Sequence, residues 1–205
     1  MSRTRVGVLI SGRGSNMQAL VEAARDPAYP AEIALVLAND PDAAGLAWAA
    51  AAGVPAEAVD HRPFGRDREA HERRLDALLR NARVEIVCLA GYMRLLTPGF
   101  VDAWSGRLLN IHPSLLPAFP GLHTHRRALQ AGCRLYGCTV HLVIDEVDAG
   151  PILGQAALPV LAGDHEAAMA ARLLPVEHRL YPACLAAFCT GRAGPSESDA
   201  MLISY

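Results

Sequence analysis

The sequence predicts an α/β fold: an open, mostly parallel sheet with helices on both faces and an antiparallel part towards the C-terminus. Three observations predict it. Short apolar runs alternate with stretches of helical periodicity through the first half of the chain. Some of those runs, such as Val84-Glu85-Ile86-Val87-Cys88-Leu89-Ala90, are nearly continuous rather than alternating, which suits strands buried on both faces. Later, two strand-like runs follow one another with only a turn between them, and strands joined that way pair antiparallel.

Taken in order, residues 5–10 form an apolar run that ends in Ser11-Gly12-Arg13-Gly14-Ser15-Asn16. Met17, Leu20, Val21 and Ala24 then recur at helical spacing, giving strand, glycine loop and helix. Residues 33–38 make a second strand closed by Asn39-Asp40-Pro41. An Ala-rich helix over 43–52 stops at Gly53. A short third strand is expected over 54–59 and a loop over 61–68. Residues 68–81 form a charged amphipathic helix with Leu75, Leu78 and Leu79 on one face. The strand over 84–90 leads into Gly91-Tyr92-Met93-Arg94-Leu95-Leu96, and a short helix follows Pro98. The run Leu108-Leu109-Asn110-Ile111-His112 is another strand. Residues 122–131 are helical, 136–143 and 152–160 are paired strands across an acidic turn, and a helix runs from Asp164, its expected N-cap, towards Phe188. Pro175 inside that helix predicts a kink or a division into two helices. Residues 191–205 read as a loosely held tail, with Met201-Leu202-Ile203 able to add an edge strand. This order is Rossmann-like. It fits one domain over 1–190, with one half over about 1–100 and another over about 101–190, followed by the tail.

The whole-chain properties exclude several classes. The 205 residues are 52% apolar, yet no uncharged apolar run is long enough to span a membrane. Met1-Ser2-Arg3-Thr4-Arg5 leads straight into the first strand without a signal-peptide stretch, so a cytoplasmic protein is expected. A net charge of −2 offers nucleic acid no electrostatic attraction. All 19 basic residues are arginine, which rules out a phosphate lysine or a Schiff-base lysine and leaves guanidinium forks and backbone amides for anions. Cys88, Cys133, Cys138, Cys184 and Cys189 lack C-x-x-C spacing and read as reduced, mostly buried thiols.

The candidate chemistry gathers where strands end. Asn110 and His112 are two apart, so an extended chain points both to one side, and Pro113 keeps His112 extended. A carboxamide that binds an oxyanion and a His that carries a proton suit acyl transfer, with an Asp of the turn Asp145-Glu146-Val147-Asp148-Ala149-Gly150-Pro151 as the group that holds the His charged. The Gly12-x-Gly14-Ser15-Asn16 loop lacks the third glycine of a dinucleotide fingerprint, and what remains suits one phosphate monoester. Arg13 is either a phosphate partner or solvated, and Arg94 either binds an anion or caps the sheet edge. His123 and His125 are better read as helix-start packing or substrate contact than as zinc ligands. His141, mid-strand, is structural or supports the site from behind. The acidic turn repeats no ligand spacing, so no metal is expected.

These residues also carry a resemblance. The motifs Ser11-Gly12-Arg13-Gly14-Ser15-Asn16, Ala90-Gly91-Tyr92-Met93-Arg94, Asn110-Ile111-His112-Pro113-Ser114-Leu115-Leu116-Pro117, Pro120-Gly121-Leu122-His123-Thr124-His125, Gly137-x-Thr139-Val140-His141, Asp145-Glu146-x-Asp148-x-Gly150-Pro151-Ile152 and Glu177-His178-x-x-Tyr181-Pro182 resemble, in this order, the phosphoribosylglycinamide (glycinamide ribonucleotide) formyltransferases. The resemblance implies transfer of a formyl group from 10-formyltetrahydrofolate to the glycine amine of the ribonucleotide in purine synthesis. It makes the half over about 1–100 the nucleotide-binding one and the half over about 101–190 the catalytic one. It implies Asn110, His112 and Asp148 as the catalytic trio and Gly14, Ser15 and Asn16 as the phosphate loop. Glu177 is implied as the substrate-side carboxylate. Arg68, Met93, Arg94, Leu95, Leu96, Asn110, Ile144 and Val147 are implied as folate contacts. The partners are then two small molecules, with no metal, no nucleic acid and no membrane, and a monomer or homodimer as the working form. Formyltetrahydrofolate hydrolases and methionyl-tRNA formyltransferases share the trio. The hydrolases carry an extra N-terminal domain and need no phosphate loop; the tRNA enzymes carry a further C-terminal domain. A non-catalytic nucleotide- or folate-binding module is the alternative from another class.

Overall fold

The computed structural model describes residues 3–192 and 201–204. The chain divides into two compact units, Met1–Leu109 and Asn110–Tyr205.

In the first unit, strands β1 (Thr4–Ile10), β2 (Ala31–Ala38), β3 (Ala56–Ala58) and β4 (Ile86–Leu89) lie in the order β3-β2-β1-β4, each pair parallel. Helices α1 (Ser15–Ala23), α2 (Ala44–Ala51) and α3 (Arg68–Asn81) connect them in turn, and α4 (Pro98–Ala103) follows β4. Val8, Leu9 and Ile10 of β1 and Val36 and Leu37 of β2 are fully buried, as the continuous apolar runs require. The third strand is shorter than the expected 54–59: Pro55 has no amide to donate, and the Val54 amide turns back to the Ala49 carbonyl at 2.9 Å. The expected loop over 61–68 contains a single 3₁₀ turn at Arg62–Phe64.

Helix α3 follows its periodicity. Asp67 caps it by accepting from the Ala70 amide at 2.9 Å, Glu69 and Arg80 complement the helix dipole at the two ends, and His71, Leu75 and Leu79 bury one face four residues apart. At the start of α2, Gly45 lets the helix approach the glycine loop. Its amide donates to the Gly12 carbonyl at 3.1 Å, and a Cβ there would lie 2.5 Å from Ile10 Cδ1 and 3.0 Å from the Gly12 carbonyl oxygen.

Strand β5 (Leu108–His112) carries the chain into the second unit. There β6 (Leu135–Leu142) and β7 (Ile152–Pro159) pair antiparallel, and β8 (Met201–Ser204) adds parallel to β7 along Gly154–Ala157. The architecture is thus the Rossmann-like, mostly parallel open sheet expected, with the antiparallel pairing at the C-terminal side. The expected edge strand is β8; residues 193–200 and 205 of the expected tail lie outside the described residues.

Helices α5 (Thr124–Gln130) and α6 (Glu166–Cys189) complete this unit. One expectation about α6 is corrected and another is narrowed. Its N-cap is His165, whose Nδ1 accepts from the Ala168 amide at 3.3 Å, while Asp164 accepts from the Leu161 amide and from Arg172. Of the two outcomes expected of Pro175, a kink or a division, the division does not occur: one helix runs through. Pro175 and Ala171, whose carbonyl loses its helical partner, both lie on the exposed face, where water can satisfy the carbonyl. No helix among the described residues is long and apolar enough to cross a membrane. All five cysteines are free thiols, three of them buried.

Candidate active site

In the second unit, the alternation of β5 sets Asn110 and His112 on one side of the strand, and Asp148 comes to them from the turn after β6. His112 is 6% exposed. Its Nε2 donates to the Phe119 carbonyl at 3.1 Å, and its Nδ1 lies 3.3 Å from Asp148 Oδ2. Both ring nitrogens therefore face acceptors, an arrangement that only the imidazolium satisfies fully. Burial works the other way and outweighs it, lowering the His112 pKa, while the Phe119 carbonyl and the Asp148 charge pull it up. Burial also opposes charge on Asp148. Hydrogen bonding to His141 and from the Gly121 amide at 2.8 Å, with the charge of the two imidazoles, nevertheless holds that carboxyl below its usual range.

Asp148 adopts a left-handed backbone conformation, φ 55°, which is uncommon outside glycine and aims the carboxylate back at the two rings. His141 takes the supporting place that was one of the two readings of it. Its Nε2 lies 3.2 Å from the Asn110 carboxamide nitrogen and 3.6 Å from Asp148 Oδ1, and its Nδ1 lies 2.9 Å from the Leu142 carbonyl. With its proton on Nδ1 it accepts from Asn110 at Nε2 and orients that amide; protonated on both nitrogens it gives up that bond and donates from Nε2 to Asp148 instead. A register shift at Val140/His141 turns the side chain out of the regular ladder.

The other predicted residues of this unit fall in two places. Ile144 and Val147 are exposed on the acidic turn, at 42% and 52%. Glu177 is buried on α6; burial pushes the Cys138 thiol up, and the Glu177 charge adds to that. His125 packs edge-on against Tyr136, as the packing reading of it has it. Leu116-Pro117 is a cis peptide.

In the first unit, a cavity of about 280 Å³ is lined by residues 11–16 with Ala90, Gly91 and Met93. Gly14 precedes α1 in the left-handed conformation, φ 64°, so the first amides of the helix face the cavity region with no side-chain cap upon them. Backbone amides at a helix start suit a phosphate. Ser11 was not singled out in the sequence, yet it ties the loop together: its hydroxyl donates to Asn39 and accepts from the Met93 amide at 2.8 Å. Arg68 donates to the Leu95 carbonyl at 3.3 Å. Along residues 92–96 the side chains alternate: Tyr92, Arg94 and Leu96 are half-buried, and Met93 and Leu95 are exposed. Among the described residues, no three His, Cys, Asp or Glu side chains gather as a metal site.

The Formyl transferase family model matches residues 4–185. The phosphoribosylglycinamide formyltransferase of Escherichia coli (strain K12) is 45% identical over 195 residues, covering 95% of this chain and 92% of that protein. The trifunctional purine biosynthetic protein adenosine-3 of Drosophila pseudoobscura pseudoobscura is 50% identical over 92% of this chain, which spans only 14% of that protein's length. The crystal structure of the phosphoribosylglycinamide formyltransferase from Brucella melitensis superposes with a TM-score of 0.88 at 54% identity, covering 93% of this chain and 97% of that one. The match runs through both units and every motif of the candidate site, and the chain therefore belongs to the formyl transferase family and, within it, to the phosphoribosylglycinamide formyltransferases.

Proposed function

We propose that this protein transfers the formyl group of 10-formyltetrahydrofolate to the amine of glycinamide ribonucleotide, a step of purine biosynthesis, with residues 1–190 acting as one formyltransferase domain. The observation that carries the reading is the contact of His112 with Asp148, beside Asn110, in a chain of this family. The substrate amine attacks the formyl carbon, and the carbonyl oxygen becomes an oxyanion. The Asn110 carboxamide and the His112 imidazolium stabilise that oxygen, and Asp148 holds the imidazolium. The attacking nitrogen loses its proton and the departing folate nitrogen gains one as the carbon–nitrogen bond to folate breaks, with His112 and ordered water as carriers. Gly14, Ser15 and Asn16 bind the ribonucleotide phosphate, and Glu177 lies on the substrate side, near the amine. Arg68, Met93, Arg94, Leu95, Leu96, Asn110, Ile144 and Val147 bind the folate. The exposure of Met93, Leu95, Ile144 and Val147 supports this, because apolar side chains held in water gain from covering a ligand's flat apolar rings.

The test is to follow folate absorbance with 10-formyltetrahydrofolate, with and without glycinamide ribonucleotide, using wild-type protein and His112→Ala. Turnover that needs the ribonucleotide, and that falls by about two to four orders of magnitude in the variant, is the expected result. Equal turnover without the ribonucleotide makes water the acceptor and overturns the transferase reading.

A further inference from the structure

We infer that Glu72 is a positioning residue for the segment 92–97, fastening the C-terminal end of the loop whose side chains the proposed function assigns to folate. The inference rests on that assignment and names the group that keeps the loop in place.

Residues 92–97 form no helix or strand, and Met93 and Leu95 are 69% and 62% exposed. Side chains so exposed cannot hold their own backbone. Three groups of the same unit hold it instead. Ser11 accepts from the Met93 amide at 2.8 Å, Arg68 donates to the Leu95 carbonyl at 3.3 Å, and Glu72 accepts from the Thr97 amide at 3.0 Å. The second carboxylate oxygen of Glu72 accepts from the Thr97 hydroxyl. Glu72 is the only one of the three that is buried, at 5% exposure. A carboxylate is costly to bury unless both oxygens are bonded, and once bonded it holds its partners more tightly than a solvated group does.

The placement makes the anchor stiff. Arg68 and Glu72 are four apart on α3, so one face of the helix meets two successive parts of the loop. Thr97 in turn begins α4: its carbonyl accepts from the Phe100 and Val101 amides, both at 3.1 Å, and Phe100 and Val101 are buried. Glu72 thus joins two packed helices across the end of the loop.

The experiment measures KM for 10-formyltetrahydrofolate, KM for glycinamide ribonucleotide and kcat in the wild-type protein, Glu72→Leu, Glu72→Gln and Thr97→Val. Leucine removes both bonds. We expect KM for the folate to rise about tenfold, with the other two parameters within about twofold. Glutamine keeps both bonds, since its carbonyl accepts from the Thr97 amide and its amide donates to the hydroxyl; it should restore the folate KM to within about threefold of wild type. A leucine variant with the wild-type folate KM overturns the inference, as does one in which both KM values rise together. If the leucine variant does not fold, Thr97→Val decides. Thr97 makes no side-chain cap on α4, so valine removes only the hydroxyl bond: a raised folate KM supports the anchor and an unchanged one overturns it. A wild-type protein that consumes no folate overturns the functional reading itself, and is told apart from failure of the anchor, which shows only in variants of an active protein.

Discussion

Asp148 is the residue on which the site's electrostatics turn. It touches His112 and His141, accepts from the Gly121 amide, and keeps its charge against burial. For His112 it is one of the influences that raise a pKa which burial lowers. Asp148→Asn removes that influence while keeping the shape, so the His112 pKa moves further down. A histidine NMR titration, with His112→Gln to assign the resonance, checks this; an unmoved or raised midpoint would mean that Asp148 does not govern the ring. At this scale the sequence was unevenly informative. Asn110 and His112 are legible because two residues of a strand share a face and Pro113 holds the second extended. Asp148 was one of three acids in a turn, and its selection came from the family resemblance. His141 was legible as a supporting residue, but not which groups it supports, and Glu72 was hidden: its partner lies 25 residues along the chain, and an acid in the charged helix α3 looks solvated until Thr97 is brought to it.

Among the elements, the β6–β7 turn shows how backbone sets side-chain aim. Its base is closed by the Leu142 amide donating to the Pro151 carbonyl at 2.9 Å. Gly150 sits against that closure: a Cβ there would lie 1.9 Å from the Leu142 carbonyl oxygen. Gly150→Ala must spread the turn that carries Asp148, and we expect a destabilisation of about 1–3 kcal/mol or more with a large loss of kcat. Gly99, in the first turn of α4, is the control, since a Cβ there meets nothing within 4 Å; Gly99→Ala should be neutral or slightly stabilising. Urea unfolding of both variants decides, and equal midpoints would refute the steric argument. Most elements were legible, since apolar runs and helical periodicity are local signals. The misread ends were those fixed by competing local hydrogen bonds. Asp164 looked like the cap of α6 but is taken by Leu161 and Arg172, which left the role to His165.

Across the whole molecule, acid should weaken the fold in a predictable direction. Burial lowers the pKa of His71, His112, His125 and His178 below the ordinary 6.5. Between those lowered values and 6.5 the unfolded chain binds more protons than the folded one, so stability falls as pH drops through that window. Asp148 adds a second loss at lower pH. Its folded pKa lies below the ordinary 3.8, so its contribution is present above that value and disappears as pH falls through the folded one. Calorimetry at pH 7.5 and 5.5 should give the lower Tm at 5.5; an equal or higher Tm would contradict it.

The small strand β8 has a consequence of a different kind. Without it, the amides and carbonyls of Gly154–Ala157 on the outer side of β7 would form an open edge beside an already paired strand, ready to accept any extended peptide. With β8 in register, that stretch is sealed by the protein's own chain. The edge offered to other molecules is then the four residues of β8, and the far end of β7 is blunted by Pro159, which has no amide to offer. In a crowded solution, β8 therefore shortens the edge through which one copy could template the next.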